Sequence, residues 1–143
     1  TFHSAFQAFG SAMAVQDMRE LLVYRRAFYL AQRIFDATKS FPPSEQYALT
    51  SQIRRSSRSV ALNLREAWAK RRYENHFISK LTDCDGENSE TETALDFAFA
   101  CQYLTKEEHS ELISINQEVG KMLGYMLRHP KSFTGGLGPK TDT

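Results

Sequence analysis

The sequence predicts an all-α protein, an antiparallel up-and-down four-helix bundle. Three observations predict it. Apolar residues recur at three- and four-residue spacing through four stretches of the 143-residue chain. No stretch shows the period-two alternation bounded by turn residues that marks a strand. The links between stretches are short, which makes consecutive helices antiparallel neighbours. A hydrophobic fraction of 41% and a charged fraction of 24% are ordinary for a globular chain of this length. The bundle is expected over residues 17–130 as one domain. A loosely ordered arm at 1–16, carrying Phe2, Phe6 and Phe9, precedes it, and a flexible Gly- and Pro-rich tail at 131–143 follows.

The first helix is expected to start at Asp17, a good N-cap residue, with Leu21, Phe28, Ile34 and Phe35 as its apolar stripe. It should stop near Lys39, because Phe41-Pro42-Pro43 cannot continue it. Ser44 is expected to cap the second helix, which runs from Glu45 to about Lys70, with a turn at Arg71–Glu74. The third helix runs to about Tyr103 on a core face of Phe77, Leu81, Cys84, Leu95, Ala98 and Phe99, interrupted by Asn88 and Thr91. Gly86 lies mid-helix at a cost of about 1 kcal/mol relative to Ala; close approach of another helix would explain it. Thr105 with Glu108 three residues later is a capping box that opens the last helix. Leu112, Ile115, Val119, Met122, Leu123 and Met126 line one face of that helix, and Pro130 ends it. The expected core comprises Leu21, Phe28, Ile53, Val60, Leu64, Leu81, Leu95, Val119 and Met122.

The second helix carries more pattern than a core-covering helix needs. At about 100° per residue, Ile53, Val60, Leu64 and Ala67 form an apolar face. Ser56, Ser59, Asn63 and Glu66 form a small polar stripe beside it. Arg54, Arg58 and Arg65 form a third line, which Arg72 continues if the helix lasts. The polar stripe has two readings: close packing of helices within the chain, or a subunit interface whose buried polar groups set register. The arginine line also has two. It is a solvated face paired with the acidic stripe Asp83, Glu87 and Glu90, or it is a row of phosphate contacts suited to RNA.

Net charge is +1, so no global field argues for nucleic acid or membrane, but the charges are segregated. Residues 54–80 hold eight Lys or Arg against Glu66 and Glu74, and residues 83–96 hold six acids and no base. No run reaches the roughly 20 apolar residues of a membrane span. The N-terminal stretch lacks a basic segment and does not read as a signal peptide. Cys84 and Cys101 are too far apart on one helix, about 25 Å, for a disulfide. Both read as small buried thiols in a reducing compartment, and the cytoplasm is the expected location.

Di-metal bundles need Glu-x-x-His pairs, and none of His3, His76, His109 and His129 has Glu three residues before it. There is no His-Glu-x-x-His, no Cys-x-x-Cys and no Gly-rich phosphate loop. No metal or organic cofactor is expected, and no small-molecule substrate is identified. Cys84 with His76 reads as a structural thiol rather than a nucleophile and its base. Acid–base work at Glu66 beside Asn63 would need a partner and a pocket. The chain therefore reads as a non-enzyme.

Several of these residues together carry a resemblance. Phe41-Pro42 is followed by Glu45 and Leu49, then Gln52-x-Arg54-Arg55, then Ser59, Asn63 and Glu66, with Gly86 and Glu90 on the third helix. From about Leu22 to Leu127 the chain resembles the four-helix-bundle proteins encoded in intervening sequences of bacterial 23S rRNA genes. It departs from them at Arg65-Glu66-Ala67, where Ala-Glu-Gly is usual, and at Gly86-Glu87-Asn88, where Gly-Ser and apolar residues are usual. The resemblance implies a left-handed up-down bundle assembling as a ring-like homopentamer, and it does not imply an enzyme. The family is similar to the accessory protein of diversity-generating retroelements, a pentameric bundle that binds nucleic acid and the reverse transcriptase. Two function classes stand: a homo-oligomer binding RNA or a ribonucleoprotein through the arginine line, and an assembly protein whose charges are used in subunit contacts. Ser56, Ser59, Asn63, Glu66, Gly86 and Glu90 are the candidates for a subunit or helix interface.

Overall fold

The computed structural model describes residues 21–134. It contains four long helices: α1 (Leu22–Thr38), α2 (Leu49–Ala69), α3 (Glu74–Ala100) and α4 (Lys106–Arg128). A 3-10 turn spans Pro43–Glu45, and a last turn, α5 (Lys131–Thr134), follows α4. No strand occurs among the described residues. Packing runs α1 on α2, α2 on α3, α3 on α4 and α4 back on α1, a closed square. The face between α1 and α2 therefore lies opposite the face between α3 and α4. The arm expected at 1–16, the helix cap expected at Asp17 and the chain beyond Thr134 lie outside the described residues.

Element boundaries follow local chemistry, with some corrections. The second helix begins at Leu49, not Glu45, because Ala48 is non-helical at φ −125° and ψ −106°. Ser44 lies inside the 3-10 turn and caps no helix; the Glu45 carboxylate accepts the Leu49 N–H at 3.3 Å instead. Helix α3 ends at Ala100 because Gln102 takes φ 65°. Its N–H bonds to Phe99 O and that of Tyr103 to Ala98 O, a Schellman closure made with glutamine at the position glycine usually fills. The capping box at Thr105 forms as expected: Glu108 N–H donates to Thr105 Oγ1 at 3.0 Å, and Thr105 N–H donates to Glu108 Oε1 at 2.8 Å. Residues 131–134, counted above with the tail, form a helical turn that buries Phe133.

The core is two apolar clusters separated by a polar waist. One gathers Leu21, Val60, Leu64, Phe77, Leu81, Cys84, Val119 and Met122; the other gathers Leu30, Ile34, Ile53, Leu95, Ala98, Leu112 and Ile115. Between them Thr91 Oγ1 donates to Ser56 Oγ at 2.8 Å. Asn88 and Asn116 each donate from the side-chain amide to the other's backbone carbonyl at 3.1 Å. Eight of the nine expected core residues are buried. Phe28 is the exception, at 52% exposure. Helix α1 turns Val23, Ala27, Leu30, Ala31 and Ile34 inward instead, since the small Ala27 and Ala31 let it approach its neighbours closely. Phe99, expected inside, is 40% exposed and stacks on His109 at 4.4 Å. Cys101, expected buried, is exposed.

Candidate functional site

The outer face of α2 is set by helix geometry. The buried residues Ile53, Val60 and Leu64 hold one side against the core, which turns Arg58, Leu62 and Arg65 outward. Arg54 stands on the α1 side. Its Nε donates to Thr38 Oγ1 at 2.7 Å, and its guanidinium lies 4.7 Å from the Phe35 ring centre. Arg58 approaches the same ring at 5.4 Å. Arg72 lies past the end of the helix at Ala69, so it does not continue the row.

The acidic stripe of α3 finds different partners from those the arginine row offered. Arg55 Nη1 lies 3.0 Å from Glu87 Oε2, and its Nη2 donates to Glu90. The hydrogen bond it donates to Glu87 is the main reason the Arg55 pKa is held above the usual value. Lys80 bridges Glu66 at 3.1 Å and Asp83 at 3.3 Å, and the Glu66 bond chiefly raises its pKa. Among the described residues, Arg54, Arg58 and Arg65 have no carboxylate partner.

Two adjoining grooves run along this face and share Arg58 and Leu62. The first lies between α1 and α2, with Tyr24, Phe28 and Arg65 on its walls. The second holds Tyr47, Arg54 and Arg55. Among the described residues, no acid lines either groove. Other grooves of the bundle are mixed: Arg26 and Lys106 share one with Glu107 and Glu111, and Lys121 and Arg128 share one with Asp85 and Glu92. The acid-free face is also unusually apolar for a surface, with Tyr47 at 91% and Leu62 at 66% exposure.

The small polar stripe divides between two settings. Ser56 is fully buried in the waist, whereas Ser59 and Asn63 are half-buried and Glu66 is exposed. The Asn63 amide donates to Ser59 O on its own helix at 2.9 Å. Gly86 is not approached by any described residue: a Cβ there would meet nothing within 4 Å. Close approach occurs at Gly120, where a Cβ would sit 2.9 Å from Asn88 Nδ2. Glu90 is tied to Arg55.

The candidate reactive groups do not converge. Cys84 directs its thiol to Val60 O at 3.6 Å, and burial pushes its pKa up to about 12. His76 is exposed beside Tyr73, and Glu66 pairs with Lys80 at the surface. No group of three or more His, Cys, Asp or Glu among the described residues could hold a metal ion. No helix among them is long and apolar enough to cross a membrane.

Sequence reasoning missed Lys80, Tyr47 and Leu62, and it named Arg55 only within the family motif, not as the partner of Glu87 and Glu90. A signal existed for Leu62. It lies two residues from both Val60 and Leu64, and a residue two away on a helix points to the opposite side. Arg55 lies 100° from Arg54, toward α3, but only the position of α3 makes that offset matter.

The family model described as 23S rRNA-intervening sequence protein matches residues 19–125. Among solved structures, the chain is similar to a protein of unknown function from the S23 ribosomal protein family of Bacteroides thetaiotaomicron. The two are 27% identical, with a TM-score of 0.68 over 75% of this chain and 96% of that one. No protein of curated function matches.

Proposed function

The chain belongs to the 23S rRNA-intervening sequence protein family, and from that premise we propose that it is a non-enzymatic homo-oligomer binding RNA through the outer α1–α2 face. The observation that carries this reading is that the acids facing α2 are taken by Arg55 and Lys80, leaving Arg58 and Arg65 exposed with no carboxylate partner among the described residues. Guanidinium groups in that state suit phosphate, which they can meet with two parallel hydrogen bonds. A homo-oligomer repeats the row in each subunit; a ring-like pentamer is what the family resemblance implies.

The test uses Arg58→Gln with Arg65→Gln and leaves Arg54 alone, since Arg54 also holds Thr38. RNA affinity of the intact protein should fall steeply as salt rises. The double change should weaken binding for all sequences alike and flatten the salt slope by roughly 0.7 to 0.9 per lost phosphate contact. The fold should survive, because exposed charges contribute little to stability. A second reading has its own support: exposed Leu62 and Phe28 form an apolar strip of the kind subunits cover. On that reading the double change loosens the assembly in light scattering, and the unaltered protein shows no salt-sensitive RNA binding.

A further inference from the structure

We infer that the RNA taken by this face is single-stranded, with bases stacking on Tyr47 and Phe28 while Arg58 and Arg65 hold phosphates. The inference rests on the RNA-binding reading above and narrows its ligand. Three observations carry it. Among the described residues no acid lines the two adjoining grooves, which favours an anionic occupant. Tyr47, in the link before α2, is 91% exposed, and its ring makes no aromatic or cation contact among the described residues. Phe28 at 52% and Leu62 at 66% exposure extend the apolar surface along the same face.

A duplex buries the faces of its bases in its own stack and would leave these rings unused. A single strand presents bases that can stack on aromatic side chains while its backbone tracks a basic groove. From Arg54 to Arg65 the helix rises about 16 Å, so the face accommodates several nucleotides rather than one.

The experiment measures anisotropy of a labelled uridine 20-mer, an adenine 20-mer and an RNA duplex of the same length, with light scattering on every variant. Single strands should bind at least about fivefold more tightly than the duplex. Tyr47→Ala should lose about fivefold or more for single strands, the range expected for one stacked base, with the salt slope unchanged. Tyr47→Phe should bind like the unaltered protein, because it keeps the ring. Phe28→Ala should act in the same direction as Tyr47→Ala. Equal affinity for strand and duplex, with no effect of Tyr47→Ala, overturns the stacking inference and leaves phosphate binding standing. Salt-sensitive binding of neither probe removes both. Dissociation of the assembly by Tyr47→Ala assigns the face to a second copy of the chain and overturns the inference as well.

Discussion

Arg54 and Arg55 are adjacent in sequence and have different fates. Arg55 meets Glu87 and Glu90, whereas Arg54 bonds a threonine hydroxyl and shares the Phe35 ring with Arg58. A step of 100° on α2 separates a residue facing an acidic helix from one facing an aromatic side chain. The two cysteines differ in the same way, although composition gave them one description. Cys101 is exposed and should be alkylated by iodoacetamide in the folded protein. Cys84 is buried, with its thiol held neutral, and should react only after unfolding. Mass spectrometry at pH 8 should find one adduct without denaturant and two with it; equal labelling of both in the native protein would contradict the burial of Cys84. The pH dependence has a definite sign. The Cys84 pKa is raised in the fold, so its contribution to stability is fully present below the ordinary value of 9.0. It is lost as pH rises from there through about 12.

Helix α3 carries one glycine and α4 two, and their substitutions should separate propensity from packing. Gly86 has open space where a side chain would go, so Gly86→Ala should stabilise the bundle by about 0.5–1 kcal/mol through helix propensity alone. Gly120 sits against the Asn88 amide, and Gly120→Ala should destabilise by about 1–3 kcal/mol by forcing that amide aside. Urea melts of the two variants check the contrast. Should Gly86→Ala instead weaken the assembled protein, another copy packs there. The boundaries of these elements were legible wherever a local signal acted alone: the capping box at Thr105, the prolines after Lys39 and Pro130 after α4. They were misjudged at Ala48 and Gln102, where ordinary residues adopt non-helical backbone that no composition rule marks.

Across the whole molecule, the polar waist divides the core and ties three of the four helices in register. Asn88 and Asn116 form a reciprocal pair between α3 and α4, while Ser56 and Thr91 join α2 to α3. Each asparagine replaced alone by alanine leaves a buried backbone carbonyl short of a donor, at a cost of about 1–3 kcal/mol. The two changes should not add, because each bond pair is part of one arrangement. A double-mutant cycle by urea denaturation should return a coupling of at least about 0.5 kcal/mol. Strict additivity would mean that the two helices hold their register without the pair.

Four helices, the antiparallel order imposed by short links, the buried side of α2 and the capped start of α4 were all legible along the chain. All of these rest on interactions within one helix or one turn, which periodicity and capping residues record. Tertiary structure alone decided which side of α1 faces the core. Val23, Ala27 and Leu30 compete there with Phe28 at nearly the same spacing, and the smaller set wins because it lets α1 sit close to α2 and α4. Tertiary structure also decided which arginines meet the acids and which glycine admits a neighbour. Those outcomes depend on how each helix is rotated about its axis against the next, and a repeat along one helix carries no information about the rotation of its partner.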